Sequence, residues 1–201
     1  ADATIVGFSH THFSGTGHSD LGDVMIMPAM GAHKLFPGTA DNPDGGYRSR
    51  FRHETETARP GYYAVHLDDH NIDVQLTATE RVGVPRYIFP KSDMASNIVA
   101  DNPHIILDLN HAIYNYDGKV LWANVRVEND TLITGYRITN GWARTNYTYF
   151  AIALSKPIRN YGYVDLKKPD YLGHLGKFDV HHNFPDIGGR QIVCYFDFGN
   201  I

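Results

Sequence analysis

Residues 63–79 read Tyr63-Ala64-Val65-His66-Leu67-Asp68-Asp69-His70-Asn71-Ile72-Asp73-Val74-Gln75-Leu76-Thr77-Ala78-Thr79. On the first side Tyr63, Val65 and Leu67 alternate with Ala64 and His66. On the second, Ile72, Val74, Leu76 and Ala78 alternate with Asp73, Gln75, Thr77 and Thr79. A strand turns successive side chains to opposite faces, so a period of two marks a half-buried strand. Between the two runs Asp68-Asp69-His70-Asn71 supplies turn formers. The stretch is a β-hairpin signal.

The same pattern recurs outward from it. Val120–Val127, the turn Glu128-Asn129-Asp130 and Leu132–Ile138 make a second hairpin. Tyr147–Leu154, Gly162–Leu166 and Gln191–Phe198 read as three further strands, and residues 24–30 as a short apolar run. Gly, Pro, Asn and Asp clusters at 37–46, 59–61, 90–93 and 185–189 punctuate the runs. No amphipathic helix longer than two turns is evident. The expected fold is all-β, an antiparallel β-sandwich or jelly-roll-like barrel with few or no helices. No repeat or composition shift marks a boundary, so residues 1–201 are expected to form one domain.

Composition narrows the function classes. The formal net charge is -4, and Lys and Arg are scattered, which speaks against a nucleic-acid partner. No apolar run is long enough to span a bilayer. The single cysteine, Cys194, lies in the apolar run Ile192-Val193-Cys194-Tyr195-Phe196 and reads as an inert buried thiol. The chain begins at Ala1 rather than Met, so it is expected to be part of a longer chain.

Chemistry concentrates in Gly7-Phe8-Ser9-His10-Thr11-His12-Phe13-Ser14-Gly15-Thr16-Gly17-His18-Ser19-Asp20-Leu21-Gly22-Asp23. Glycines allow close backbone approach to a ligand, and imidazoles, hydroxyls and carboxylates offer hydrogen bonds. On a strand His10 and His12 share a face and could meet one metal, with a third ligand from His18, His53 or Glu54. The plainer reading, preferred here, has both imidazoles hydrogen-bonded to backbone or hydroxyls and holding the loop in shape. Gly15-Thr16-Gly17 suits a turn that aims N–H groups at a sugar hydroxyl; no P-loop pattern follows it.

Phe51-Arg52-His53-Glu54-Thr55-Glu56 carries two carboxylates two residues apart. On one strand face they would lie about 6–7 Å apart at the backbone, within reach of glycosidase acid–base geometry. Ion pairs with Arg48, Arg50 or Arg59 are the preferred reading. Trp142, in Gly141-Trp142-Ala143, is a sugar-stacking candidate, although such a residue is more often core; Trp122 is expected in the core.

Several blocks carry a family resemblance. They are Ile5–His12 running into Ser14-Gly15-Thr16-Gly17 and Ser19-Asp20-Leu21-Gly22-Asp23, then Tyr47-Arg48-Ser49 with Phe51, His53, Glu54 and Glu56. They continue with Pro60-Gly61-Tyr62-Tyr63, Leu76–Arg81 and Gly141-Trp142-Ala143. In order and spacing they resemble the N-terminal β-sandwich domain, a supersandwich-like fold, of glycoside hydrolase family 92. Those proteins are calcium-dependent, inverting exo-α-mannosidases, mostly secreted or periplasmic and bacterial, acting in N-glycan degradation.

The resemblance implies that this chain is one part of an enzyme. It would lack the sandwich's first strands and the downstream (α/α)6 catalytic domain, which carries the acid, the base and most calcium ligands. No catalytic residue, metal ligand or cofactor is then expected within residues 1–201. The resemblance assigns substrate binding to Gly17 and His18 at the terminal mannose, supported by Ser19 and Asp20. Where family members often carry Cys and Leu, this chain has His18 and Phe13. The implied partners are mannose-containing glycans and the catalytic domain. A free-standing carbohydrate-binding module and a cupin-like His–metal protein are the alternatives.

Overall fold

A computed structural model describes residues 3–11, 22–91, 101–113, 116–166 and 177–199. In chain order its strands are β1 (Thr4–Ile5), β2 (Met25–Ala29), β3 (Ser49–Arg50), β4 (Thr57–Arg59), β5 (Tyr62–Leu67), β6 (Ile72–Ala78) and β7 (Gly83–Ile88). They continue with β8 (His104–Asp108), β9 (Val120–Asn129), β10 (Leu132–Thr139), β11 (Asn146–Ala153), β12 (Asn160–Asp165), β13 (Asp186–Gly189) and β14 (Ile192–Asp197). Among the described residues the helical pieces are two 3₁₀ turns, Pro43–Gly45 and His53–Thr55. The fold is all-β and built from antiparallel pairs, as the alternation predicts. The chain divides into two compact units.

Unit 1 comprises Ala1–Gly7, Met27–Ile105 and Asn200–Ile201. It holds the sheet β4-β5-β6-β7. In the predicted hairpin, Val65 pairs with Val74 and Leu67 with Ile72. These four side chains are buried, while His66, Asp73 and Gln75 stand on the other face. Asn71 closes the turn at φ 51°, a left-handed conformation that Asn tolerates better than most residues. A two-residue pair, β1 with β3, also lies in this unit.

Unit 2 comprises Phe8–Ile26 and Ile106–Gly199. The sheet β11-β10-β9-β13 lies within it; of the sheet ordered β12-β14-β8-β2, it holds β12, β14, most of β8 and only Met25 and Ile26 of β2. The first is half-buried: Ala123, Val125 and Ile133 face the core. Strands β2, β8 and β14 are buried nearly throughout, as expected where both faces are covered. Cys194 is fully buried, and burial raises its thiol pKa, so it is an inert core thiol.

Three sequence expectations are corrected. The second hairpin turns at Asp130-Thr131, because β9 continues through Glu128 to Asn129. Residues 186–189, read as a turn cluster, form β13. Its glycines serve close packing: a Cβ on Gly188 would stand 3.0 Å from the Trp122 ring, and one on Gly189 would stand 2.4 Å from an Asp165 oxygen. Trp122 is half-buried on the face of β9 opposite Ala123 and Val125, not in the core.

Candidate functional site

The base of the histidine–glycine loop is built from two arms, residues 8–11 and 22–26. Phe8 and Ile26 exchange backbone hydrogen bonds of 2.9 and 3.0 Å. His10 N–H donates to the Asp23 carbonyl at 3.0 Å, and Gly22 N–H to the Thr11 carbonyl at 2.6 Å. The ends of the ten-residue connection 12–21 are therefore fixed at Thr11 and Gly22. Gly17, His18, Ser19 and Asp20, the residues assigned to the sugar, lie outside the described residues, as does His12.

His10 behaves as scaffold. Its Nδ1 sits 2.8 Å from the Val24 carbonyl oxygen, a backbone bond of the kind preferred from sequence. Gly22 adopts φ +80°, with Ile113 packed where a Cβ would be. Val24 has φ 55°, a conformation that disfavours a β-branched side chain and costs on the order of 1–3 kcal/mol. Such strain persists only where neighbours over-determine the backbone. The flanking bonds at His10, Asp23 and Ile26 meet that condition.

The strongest of those neighbours is Asp23, whose carboxylate is 1% exposed. Thr11 Oγ1 donates to it at 2.9 Å and accepts from the Asp23 N–H at 2.8 Å. Thr148 Oγ1, from β11, lies 3.5 Å away. Arg137 Nε, from the inner face of β10, approaches its other oxygen to 3.2 Å, and the guanidinium is 0% exposed. This contact is an ion pair rather than an aligned hydrogen bond. Arg137 Nη1 donates to the His111 carbonyl.

Burial lowers the Arg137 pKa, opposed by the charges of Asp23 and Asp108. An arginine stays protonated through such a shift. Asp108 in turn accepts the N–H groups of Asn110 and His111 at 2.6 and 2.9 Å, fixing the segment whose carbonyl Arg137 binds. Asp23 is thus a structural anchor, committed to its partners and shut off from solvent.

In unit 1 the paired carboxylates separate. His53–Thr55 is a 3₁₀ turn, so Glu54 is exposed within it and Glu56 follows it. Glu56 accepts from Tyr63 Oη at 2.6 Å and bonds His53 Nδ1. The tyrosine bond chiefly, with the imidazole, lowers its pKa. None of the anticipated arginines takes these carboxylates. Arg50 pairs with Asp44 and Asp69, Arg48 with Pro37 and Thr4, and Arg59 lies over the Tyr62 ring. Trp142 is 83% exposed in the β10–β11 connection, against the expectation of a core indole.

The pair Asp23–Arg137 was missed from sequence, although a signal existed. Arg137 occupies an inward register position with Ile133 and Gly135 on β10, and a buried guanidinium requires a carboxylate.

A profile of the glycosyl hydrolase family 92 N-terminal domain matches residues 1–200. A family 92 α-mannosidase of Bacteroides thetaiotaomicron, solved with mannoimidazole, superposes with a TM-score of 0.82 at 36% identity. The match covers 98% of this chain and 24% of that one. An inverting family 92 mannosidase of the same organism shares the fold at TM-score 0.59 and 22% identity, covering 87% of this chain and 19% of its own. A protein of Arthroderma benhamiae, named as an uncharacterized secreted glycosidase, is 31% identical over 116 residues, 53% of this chain and 14% of that protein. The chain thus spans a quarter or less of each of these relatives. With a β-sandwich fold, the quoted sequence blocks and a family match over essentially its whole length, this chain belongs to glycosyl hydrolase family 92, as its N-terminal domain.

Proposed function

We propose that this domain supplies part of the terminal-mannose pocket of an inverting exo-α-mannosidase, at its contact with an (α/α)6 catalytic domain. Gly17 and His18 would meet the sugar, with Ser19 and Asp20 in support. The carrying observation is the rigid base of that loop within a family 92 chain: arms closed at Thr11–Gly22 and pinned by the buried Asp23–Arg137 pair. A loop whose ends are fixed pays less entropy when it orders around a ligand.

The chemistry belongs to the partner domain, which would also hold calcium. This chain then needs only neutral donors and acceptors for hydroxyl groups. A secreted or periplasmic location and a role in N-glycan breakdown fit that reading, and the secreted relative supports the former.

Two assays test it. The purified chain should show no turnover of an aryl α-mannoside or mannobiose; turnover lost in Glu54→Gln would overturn the reading. Calorimetry with methyl α-mannoside should show no saturable binding to this half-pocket, and saturable binding that depends on His18 would mean a complete site within the chain.

A further inference from the structure

The turn between β5 and β6 is tied into unit 1 from several sides. Asp68 N–H donates to the Arg50 carbonyl at 2.9 Å. Asp69 N–H donates to Ser49 Oγ at 3.1 Å, and the Asp69 carboxylate accepts from the Arg50 N–H at 2.7 Å and from Arg50 Nη1 at 2.8 Å. His70 adds a tie of different chemistry. Met30 N–H donates to its Nδ1 at 3.4 Å, and its Nε2 lies 3.0 Å from the Tyr47 carbonyl oxygen.

These partners fix the protonation state of the ring. A backbone N–H only donates and a carbonyl only accepts. Nδ1 must therefore accept from Met30 while Nε2–H donates to Tyr47, which only the neutral imidazole with its proton on Nε2 can do. A second proton would go to Nδ1 and set an N–H against the Met30 N–H. The Tyr47 bond would survive and gain from the charge. The two bonds thus respond to acid in opposite directions.

The surroundings set the range in which this happens. Burial holds the His70 pKa below its ordinary 6.5, against the Tyr47 bond and the Asp69 charge, and the Lys34 charge adds to the lowering. Asp69 pairs with Arg50, which also pairs with Asp44, and Lys34 Nζ donates to the Asp44 carbonyl at 2.8 Å. The residue after Met30 has anchors of its own. Gly31 N–H donates to the Asp101 carbonyl at 2.9 Å, and Asn102 Nδ2 donates to the Gly31 carbonyl at 3.0 Å. The same Asn102 Nδ2 lies 3.0 Å from His33 Nε2, so a second imidazole stands near this segment.

We propose that His70 is an acid-released clasp on the β5–β6 turn. Neutral, it holds Met30 and Tyr47 together; protonated, it keeps Tyr47 and lets Met30 go. Histidine changes charge in this pH range, and an opening confined to one contact is local rather than global.

The test is amide hydrogen exchange of the intact chain, followed by NMR, with protection factors compared at about pH 7.5 and about pH 5. The expected result is a Met30 protection factor at least about tenfold lower in acid. Tyr47, whose N–H donates to the Phe36 carbonyl, and Val125 of unit 2 should change less than about threefold. The midpoint of the Met30 loss should coincide with the titration of the His70 ring. His70→Gln, whose amide can accept and donate but carries no charge, should show the same Met30 protection at both pH values. His33→Gln should keep the drop. Unchanged Met30 protection in acid would overturn the clasp. So would a drop that persists in His70→Gln, one that disappears in His33→Gln, or one shared equally by Tyr47 and Val125.

Discussion

Strand β10 presents two faces with opposite solutions to the same problem. Inward, Arg137 is a charge without solvent, compensated by Asp23 and Asp108. Outward, Tyr136 is a half-buried ring beside Tyr149 of β11, which with Tyr147 is left largely to solvent. A buried charge is costly unless paired, so the inner face tolerates almost no change. Exposed rings cost little stability, so the outer face is free to vary unless a ligand uses it. Substitutions one residue apart on this strand should therefore differ by several kcal/mol.

The largest expected effect is Arg137→Ala, which strands the Asp23 carboxylate in the core. Breaking one side of a buried pair costs about 3–5 kcal/mol, to be read from urea unfolding. A loss below about 1 kcal/mol would mean that the pair is dispensable. Gly189→Ala comes next. Its methyl would meet Asp165 and Ile192 at 2.4 and 2.6 Å, and overpacking of this kind costs about 1–3 kcal/mol. Thr11→Val removes a hydrogen bond to the buried Asp23 carboxylate and the acceptor of the Asp23 N–H, and should cost about 1.5–3 kcal/mol. At the bottom of the scale, Tyr149→Ala should leave the unfolding midpoint nearly unchanged, which separates the two faces of the sheet.

Acid sharpens the picture through exposed groups. The Asp44, Glu56 and Glu128 pKa values are lowered, mainly by bonds from Arg50, Tyr63 and Thr134 respectively. A lowered folded-state pKa means that the unfolded chain binds protons more readily. The contribution is full above the ordinary values, 3.8 for Asp and 4.5 for Glu, and disappears as pH falls through the depressed ones. Burial also lowers the His70 pKa from its ordinary 6.5, so the urea midpoint should begin to fall as pH drops through about 6.5 and decline further below about 5. A midpoint that rises on acidification would contradict the assigned bonds.

Much of this architecture was legible because period-two alternation is a local property. The β5–β6 and β9–β10 hairpins follow from it directly. Strand β13 was hidden because Gly188 and Gly189 look like turn formers, whereas they make room for Trp122 and Asp165. The chain neighbours of these glycines carry no trace of those contacts. At the loop, the backbone role of His10 was legible, and the resemblance supplied the residues proposed to meet the sugar. The pin was not, since Asp23 and Arg137 are 114 positions apart and meet only once the fold exists. The separation of Glu54 from Glu56 likewise depends on a 3₁₀ turn where a strand was expected.

The central claim is that the buried pair holds the base of the loop proposed to face the sugar. Amide hydrogen exchange in Arg137→Met tests it most directly, compared at Gly22 and His10 with Val65 and Val74 of the unit 1 hairpin. The account predicts at least tenfold faster exchange at Gly22 and His10, with a much smaller change at Val65 and Val74. Unchanged protection at Gly22 and His10 would contradict it.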